Sequence, residues 1–204
     1  MTTTVLDSPR NATRLERRKA RTRAAILEAA RRLFQEHGFE STSIAQIAEA
    51  ADSGVGTLYG YFSNKDEILR EVLRAHGEQV TREFLQSVND NTPAIERICL
   101  ALDGFTRYLR ENRMLLLSAF RADSRSRDED DSHAAWLTRA FASMLRDGIE
   151  SREFRPVPPE TTARALISAY TMAILGIGHW RGLENDPQTA RDLEAMTRQM
   201  LSPA

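Results

Sequence analysis

Cysteine is almost absent from the chain: Cys99 stands alone among 204 residues, which excludes an internal disulfide and a cysteine-rich zinc site. It falls on an apolar helical face, where a buried, inert thiol in a reducing compartment is expected. Neither sign of charge prevails. With 28 Lys and Arg against 29 Asp and Glu the net charge is −1, so any nucleic-acid surface must be local. Long apolar runs are missing too. The most apolar stretch, Leu166 to Trp180, is shorter than the roughly 20 residues a bilayer-spanning helix requires. The N-terminus lacks the apolar core of a signal peptide, so a cytoplasmic location is expected. No strand alternation, internal repeat or low-complexity tract occurs. The histidines, His37, His76, His133 and His179, form no metal pair at helical spacing. No serine or cysteine sits in a nucleophile motif, and no phosphate-binding glycine loop follows a strand. We therefore expect no catalytic residue, no metal and no cofactor.

What is present is organised around Ser43 to Lys65. Ser43 with Gln46 three residues on is a capping box, and Ile44, Ile47, Ala48 and Ala51 follow on one helical face. Asp52, Ser53 and Gly54 form a short polar break. Val55, Leu58 and Phe62 then share a face of a second helix, which leaves Thr57, Tyr59 and Tyr61 pointing elsewhere. Ser63 with Asp66 is expected to cap a third helix. Lys65 in its first turn opposes the helix dipole by about 0.3–1 kcal/mol, a misfit explained if the lysine faces a phosphate. Two short helices joined by a tight turn are the layout of a helix-turn-helix reader of DNA.

Before the motif, Thr22 to His37 carries Ile26, Ala29, Ala30, Leu33 and Phe34 on one face and ends on Gly38, a glycine cap, with the apolar Phe39 after it. Residues 1–9 read as a disordered tail. Arg10, Arg14, Arg17, Arg18, Lys19, Arg21 and Arg23 surround the single acid Glu16, a basic arm suited to phosphates or a minor groove. Residues 1–75 hold 12 basic against 10 acidic side chains, the rest 16 against 19, so the mild positive bias lies at this end.

Gly56, Thr57, Leu58, Tyr59, Tyr61, Phe62 and Lys65 spell G-T-L-Y-x-Y-F-x-x-K, which resembles the signature of the tetracycline-repressor (TetR) family. The preceding TRAAILEAARRLFQEHGFESTSIAQIAEAA is similar to that family's opening helices. The likeness covers Thr22 to about Leu73. It departs from the family where the usual A-G-V-S is Ala51, Asp52, Ser53, Gly54, and where Gly60 stands between the two tyrosines. The resemblance implies an all-α fold: an N-terminal three-helix helix-turn-helix domain joined by a long helix to a helical ligand-binding and dimerisation domain. The expected division is a flexible basic arm at 1–20, a DNA-binding domain at 21–75 and the second domain at 76–204.

Beyond the motif a long helix runs from Asn64 toward Val88 with Ile68, Leu69, Val72, Leu73, Val80, Phe84 and Leu85 along one line. A polar break follows, ending in Pro93 at the first position of a new helix. Ile95, Ile98, Cys99, Leu102, Phe105 and Leu109 mark that helix, and Met114 to Phe120 a short one. Arg121 to Asp131 reads as a charged loop. Ala134 to Glu150 resumes helical spacing before three prolines between Phe154 and Pro159 break it. From Glu160 to about Arg181 the chain is apolar almost all round, a helix buried on several sides. Asp186-Pro187 opens the last helix.

As DNA contacts we expect Arg18, Arg21, Ser43, Ser53, Gly54, Val55, Gly56, Thr57, Tyr59, Tyr61 and Lys65. The glycines allow close approach, Ser43, Thr57, Tyr59, Tyr61 and Lys65 hold phosphates, and Val55 meets a thymine methyl. The last two helices are read as a homodimer interface through Ala169, Ala173, Gly176, Ile177, Met196 and Met200. By the family's pattern a pocket lies in the second domain. Its candidate lining is Phe105, Tyr108, Met114, Phe120, Trp136, Phe141, Met144, Tyr170, His179 and Trp180, suited to a small, mostly apolar effector. The function implied is a ligand-responsive repressor that binds a palindromic double-stranded DNA operator as a homodimer. The alternative is a helical protein-protein adaptor, which leaves the basic arm and the tyrosine-lysine constellation without a purpose.

Overall fold

The computed structural model describes residues 13–122 and 133–203. Among them all regular structure is helical, and the chain divides into two compact units meeting between Val72 and Leu73. The tail at 1–9, Arg10 and most of the charged run at 121–131 lie outside the described residues.

The first unit begins earlier than its apolar pattern suggests. Helix α1 spans Arg14–His37, because Thr13 and Glu16 form a complete capping box that starts it eight residues before Thr22. Arg14, Arg17, Arg18 and Lys19 are therefore helical rather than part of a flexible arm. The helix ends at Gly38, whose φ of 84° suits a residue without Cβ, and whose N–H donates to the Phe34 carbonyl. Phe39 folds back edge-on against Phe34, with ring centroids 5.2 Å apart. Helix α2 spans Ile44–Ala50 and helix α3 Val55–Tyr59. Ile26, Ala30 and Phe34 of α1 pack with Ile47, Leu58 and Phe62, all of them buried. Helix α4 spans Lys65–Ser87 and closes this core with Ile68, Leu69 and Val72. Its N-cap is Asn64, not Ser63: Asn64 Oδ1 accepts from Glu67 N at 2.8 Å, and the Glu67 carboxylate accepts from Ser63 N at 2.6 Å. Two overlapping capping signatures compete here, and the one ending in glutamate, which is long enough to reach back, wins.

In the second unit the remainder of α4 is joined by α5 (Ala94–Glu111), α6 (Arg113–Ala122), α7 (His133–Glu150), α8 (Pro159–Leu175) and α9 (Pro187–Leu201). Pro93 is the N-cap of α5 rather than its first residue, and Leu85 is exposed rather than aligned with the buried positions of α4. Helix α7 lies on α8, and α5 packs against both and against α9. Leu102, Phe105, Phe141, Leu145, Tyr170, Ile174 and Leu193 share one core. After α7 the chain tucks Phe154 under Gly148, where a Cβ would lie 2.2 Å from the ring. Helix α8 stops about six residues short of the expected end, because Gly176 adopts φ 67° and caps it, with the Ile177 N–H donating to the Met172 carbonyl at 2.9 Å. Gly178 and Gly182 also have positive φ, so the apolar sequence continues through a 3-10 turn, Gly178–Trp180, instead of a helix.

Candidate nucleic-acid interface

The helix-turn-helix is built by local hydrogen bonds. Ser43 accepts from Gln46 N and its own N–H donates to Gln46 Oε1 at 2.8 Å. At the other end Ser53 N donates to the Ala48 carbonyl at 2.9 Å while Asp52 takes φ 50°, so the chain reverses within three residues. Asp52 occupies the left-handed position that the family's glycine would relieve, and an aspartate tolerates it better than most side chains. Gly54 is then the N-cap of α3 without any side-chain bond.

One residue of α3 faces inward and the other four outward. Leu58 is fully buried, whereas Val55 is 42% and Tyr59 55% exposed, with Gly56 and Thr57 exposed between them. Val55, at the first position of α3, is therefore exposed and does not share the packed face expected with Leu58 and Phe62. A Cβ built on Gly56 meets nothing within 4 Å, and one on Gly54 only Thr57 Oγ1 at 3.7 Å. No crowding inside the unit requires either glycine. Tyr61 is partly buried beside Phe62, and Ser53 is partly buried at the turn. Arg18 and Arg21 are exposed on α1, in helical register with Arg14.

Two expected contacts, Lys65 and Ser43, and one arginine of the basic arm are already engaged. Lys65 Nζ donates to the carbonyls of Phe39 at 2.8 Å, Thr42 at 3.0 Å and Glu40 at 3.3 Å, and lies 4.4 Å from the centroid of the Phe39 ring. All three ammonium donors are thereby directed at the α1–α2 loop, so the misfit with the dipole is resolved inside the protein and not by a phosphate. The Ser43 hydroxyl is taken up by its cap, accepting from Gln46 N and donating to Gln46 Oε1 at 3.0 Å. Arg23 leaves the basic arm altogether: it pairs with Glu71 and its guanidinium lies 5.3 Å from the Phe62 ring centroid.

In the second unit the ten aromatic and thioether candidates do not converge. Phe105, Tyr108, Phe141 and Tyr170 are buried in the shared core, and Met144 and Trp180 pack against it. Met114, Phe120, Trp136 and His179 are exposed. A cleft of about 270 Å³ opens instead between α5, α8 and α9, lined by Cys99, Leu102, Asp103, Thr106, Arg110, Tyr170, Pro187, Ala190, Arg191 and Glu194. Tyr170 alone was anticipated. Asp103, Thr106, Arg110, Arg191 and Glu194 occupy polar stripes of amphipathic helices, where a solvent face and a cleft wall have the same pattern. Tyr170 is 2% exposed, and its Oη lies beside the Thr197 hydroxyl without reaching hydrogen-bond geometry. Burial pushes its phenol up to about 12 and the Cys99 thiol up to about 11, so both are protonated at neutral pH.

The proposed dimer residues also separate. Ala173 is 0% exposed inside the unit's own core, and Gly176 and Ile177 belong to the cap that ends α8. Ala169 and Met200 are partly buried, and Met196 is 65% exposed. The open side of α8 carries Ala165, Ser168 and Met172, which are exposed or partly so. Among the described residues no helix is long and apolar enough to cross a membrane, and no group of His, Cys, Asp and Glu is arranged to hold a metal ion.

Residues 26–72 match the family model described as bacterial regulatory proteins, tetR family. The uncharacterized HTH-type transcriptional regulator YhgD of Bacillus subtilis (strain 168) is 25% identical over 154 residues, covering 73% of this chain and 80% of that protein. Among solved structures, a bacterial regulatory protein in the tetR family from Rhodococcus RHA1 superposes with a TM-score of 0.63 at 18% identity, covering 90% of this chain and 98% of that one. RolR, solved in complex with resorcinol, superposes with a TM-score of 0.66 at 19% identity over 91% of this chain and 89% of its own. The motif built from Ser43 to Lys65 and the family model agree: residues 26–72 form a helix-turn-helix domain of the tetR family, and the all-helical chain has the fold of TetR-family structures.

Proposed function

We propose that the protein is a ligand-responsive repressor that binds a palindromic operator as a homodimer and is released from it by a small molecule. The observation that carries this reading is the outward face of α3. Val55 and Tyr59 are large, exposed side chains on an otherwise well-packed unit, and they flank glycines for which the fold itself has no steric need. A helix interior loses about 0.5–1 kcal/mol by having glycine in place of alanine, a cost that close approach of the backbone to a duplex would offset. Thr57, Tyr59 and Tyr61 hold phosphates on this reading, and Arg18 and Arg21 extend the contact along α1. Ser53 stands at the turn where the chain meets the duplex. Homodimerisation through the open side of α8 and the Met196 side of α9 would set the two recognition helices on successive major grooves.

For the effector we look to the second unit. RolR was solved with resorcinol on a similar fold, and here Tyr170, Thr106, Arg110 and Arg191 line one cleft together with Asp103 and Glu194. This lining of two arginines and two acids suits a polar, hydroxyl-bearing molecule rather than the mostly apolar one expected from the aromatic side chains. Linkage then requires an inducer to bind free protein more tightly than operator-bound protein.

A mobility-shift assay on genomic fragments, at about 50 and 200 mM salt, tests the reading. Retarded fragments are expected, with affinity falling steeply as salt rises, and Arg18→Ala with Arg21→Ala should flatten the salt dependence by about two units of slope. No retardation at either salt would overturn it.

A further inference from the structure

The exposed side chains of α3 have an unusual chemistry for a reader of bases. A two-point hydrogen bond to guanine needs arginine or lysine, one to adenine needs asparagine or glutamine, and cytosine is read by a carboxylate. None of these residue types occurs between Val55 and Tyr59. The neighbouring candidates are committed elsewhere: Gln46 Oε1 is held by Ser43, and Lys65 by three loop carbonyls. Thr57 and Tyr59 each offer a single hydroxyl, too few for a two-point contact.

What α3 offers instead is methyl groups around a bare backbone. Leu58 marks the buried side, and at 100° per residue Gly56 lies near the middle of the opposite face. Val55 and Tyr59 stand to one side of it and Thr57 to the other. Nothing covers the position where a Gly56 Cβ would be, so the helix can approach base edges closely there. Such an approach brings the Val55 isopropyl group and the Thr57 methyl to the groove floor. The apolar feature on that floor is the C5-methyl of thymine.

We infer that this protein reads the major-groove core of each half-site through thymine methyls, with Val55 and Thr57 as the specificity-determining residues and A·T pairs at the positions beneath α3. The inference rests on the DNA-binding reading above and adds the chemistry of its target. Hydrogen bonds then fix register through the phosphates, and the choice of base is made by apolar contact.

The test begins with sites selected from a random duplex pool by the full-length protein. Individual thymines in the recovered core are then replaced by deoxyuridine, which keeps pairing intact and removes only the methyl. Affinity should fall about four-fold per contacted methyl, the worth of one buried methyl-sized group, ~0.8 kcal/mol. In Val55→Ala the same replacement should make no difference at the thymine Val55 covers, while melting temperature stays at the wild-type value because Val55 is exposed. Core positions dominated by G·C, or full affinity for the deoxyuridine duplexes, would overturn the inference while leaving DNA binding intact. Recovery of no DNA from the pool would overturn both readings together.

Discussion

Lys65 Nζ lies 4.4 Å from the centroid of the Phe39 ring and donates at 2.8 Å to the carbonyl of that same residue. The first residue of α4 thus fastens the loop that joins α1 to α2, and with it the angle at which α2 and α3 leave α1. Thr42 completes the arrangement from below, its buried hydroxyl donating to the Gly38 carbonyl at 2.8 Å. A lysine that looked like a phosphate contact is a structural tie.

Lys65→Ala should therefore lower stability by about 2 kcal/mol, since it leaves three loop carbonyls without their charged donor. Urea denaturation followed by far-ultraviolet circular dichroism measures it. A midpoint equal to the wild type would return Lys65 to the surface.

Asp52 sits at φ 50°, and glycine there removes the left-handed strain. Asp52→Gly is expected to raise stability by about 0.5–1 kcal/mol, part of the relief being offset by the freer unfolded chain. Thermal melts in matched buffer check it. A lower melting temperature would mean that the aspartate makes a favourable contact outweighing its backbone.

Acidification should loosen the linker between α8 and α9. Hydrogen bonds from its own N–H and from Gly182 N, at 2.6 Å, hold the Glu184 carboxyl below its ordinary value of 4.5, with Arg113 adding to the effect. A depressed carboxylate contributes stability that is complete above the unfolded pKa and lost as pH falls through the folded one. Trp180 fluorescence in a Trp136→Phe background should stay constant above about pH 5 and change progressively below the ordinary value of 4.5. The change should be missing in Glu184→Gln; its persistence there would assign it to another group.

How much of this was legible beforehand depended on whether the causes were local. The Ser43 capping box, the Gly38-Phe39 stop and the inward set Ile26, Ile47 and Leu58 are short-range patterns, and they placed the motif correctly. Thr13 and Glu16 carry the same capping pattern, but the surrounding arginines drew attention to an arm. Lys65 gave no local sign of its role, since its carbonyl partners lie 23 to 26 residues earlier in the chain. The end of α8 was hidden because apolar residues continue past Gly176, and only backbone conformation distinguishes a cap from a helix-packing glycine. The cleft was hidden because Asp103, Thr106, Arg110 and Arg191 look like ordinary solvent-facing positions.

The burial of Ala173 separates two substitutions that the sequence treats alike. Ala173→Asp places an uncompensated charge in the core of a single subunit and should unfold it. Ser168→Asp, on the open side of α8, should leave the helical content unchanged and yield monomers in sedimentation velocity. A Ser168→Asp protein that sediments as wild type would remove this face from the interface.

Hydroxyl-radical footprinting on a retarded genomic fragment tests whether the protein grips its operator as a symmetric pair of recognition helices. Two protected half-sites related by a dyad are expected, with centres about one helical turn, ~34–36 Å, apart. A protected segment with no dyad, or no protection at low salt, would contradict it.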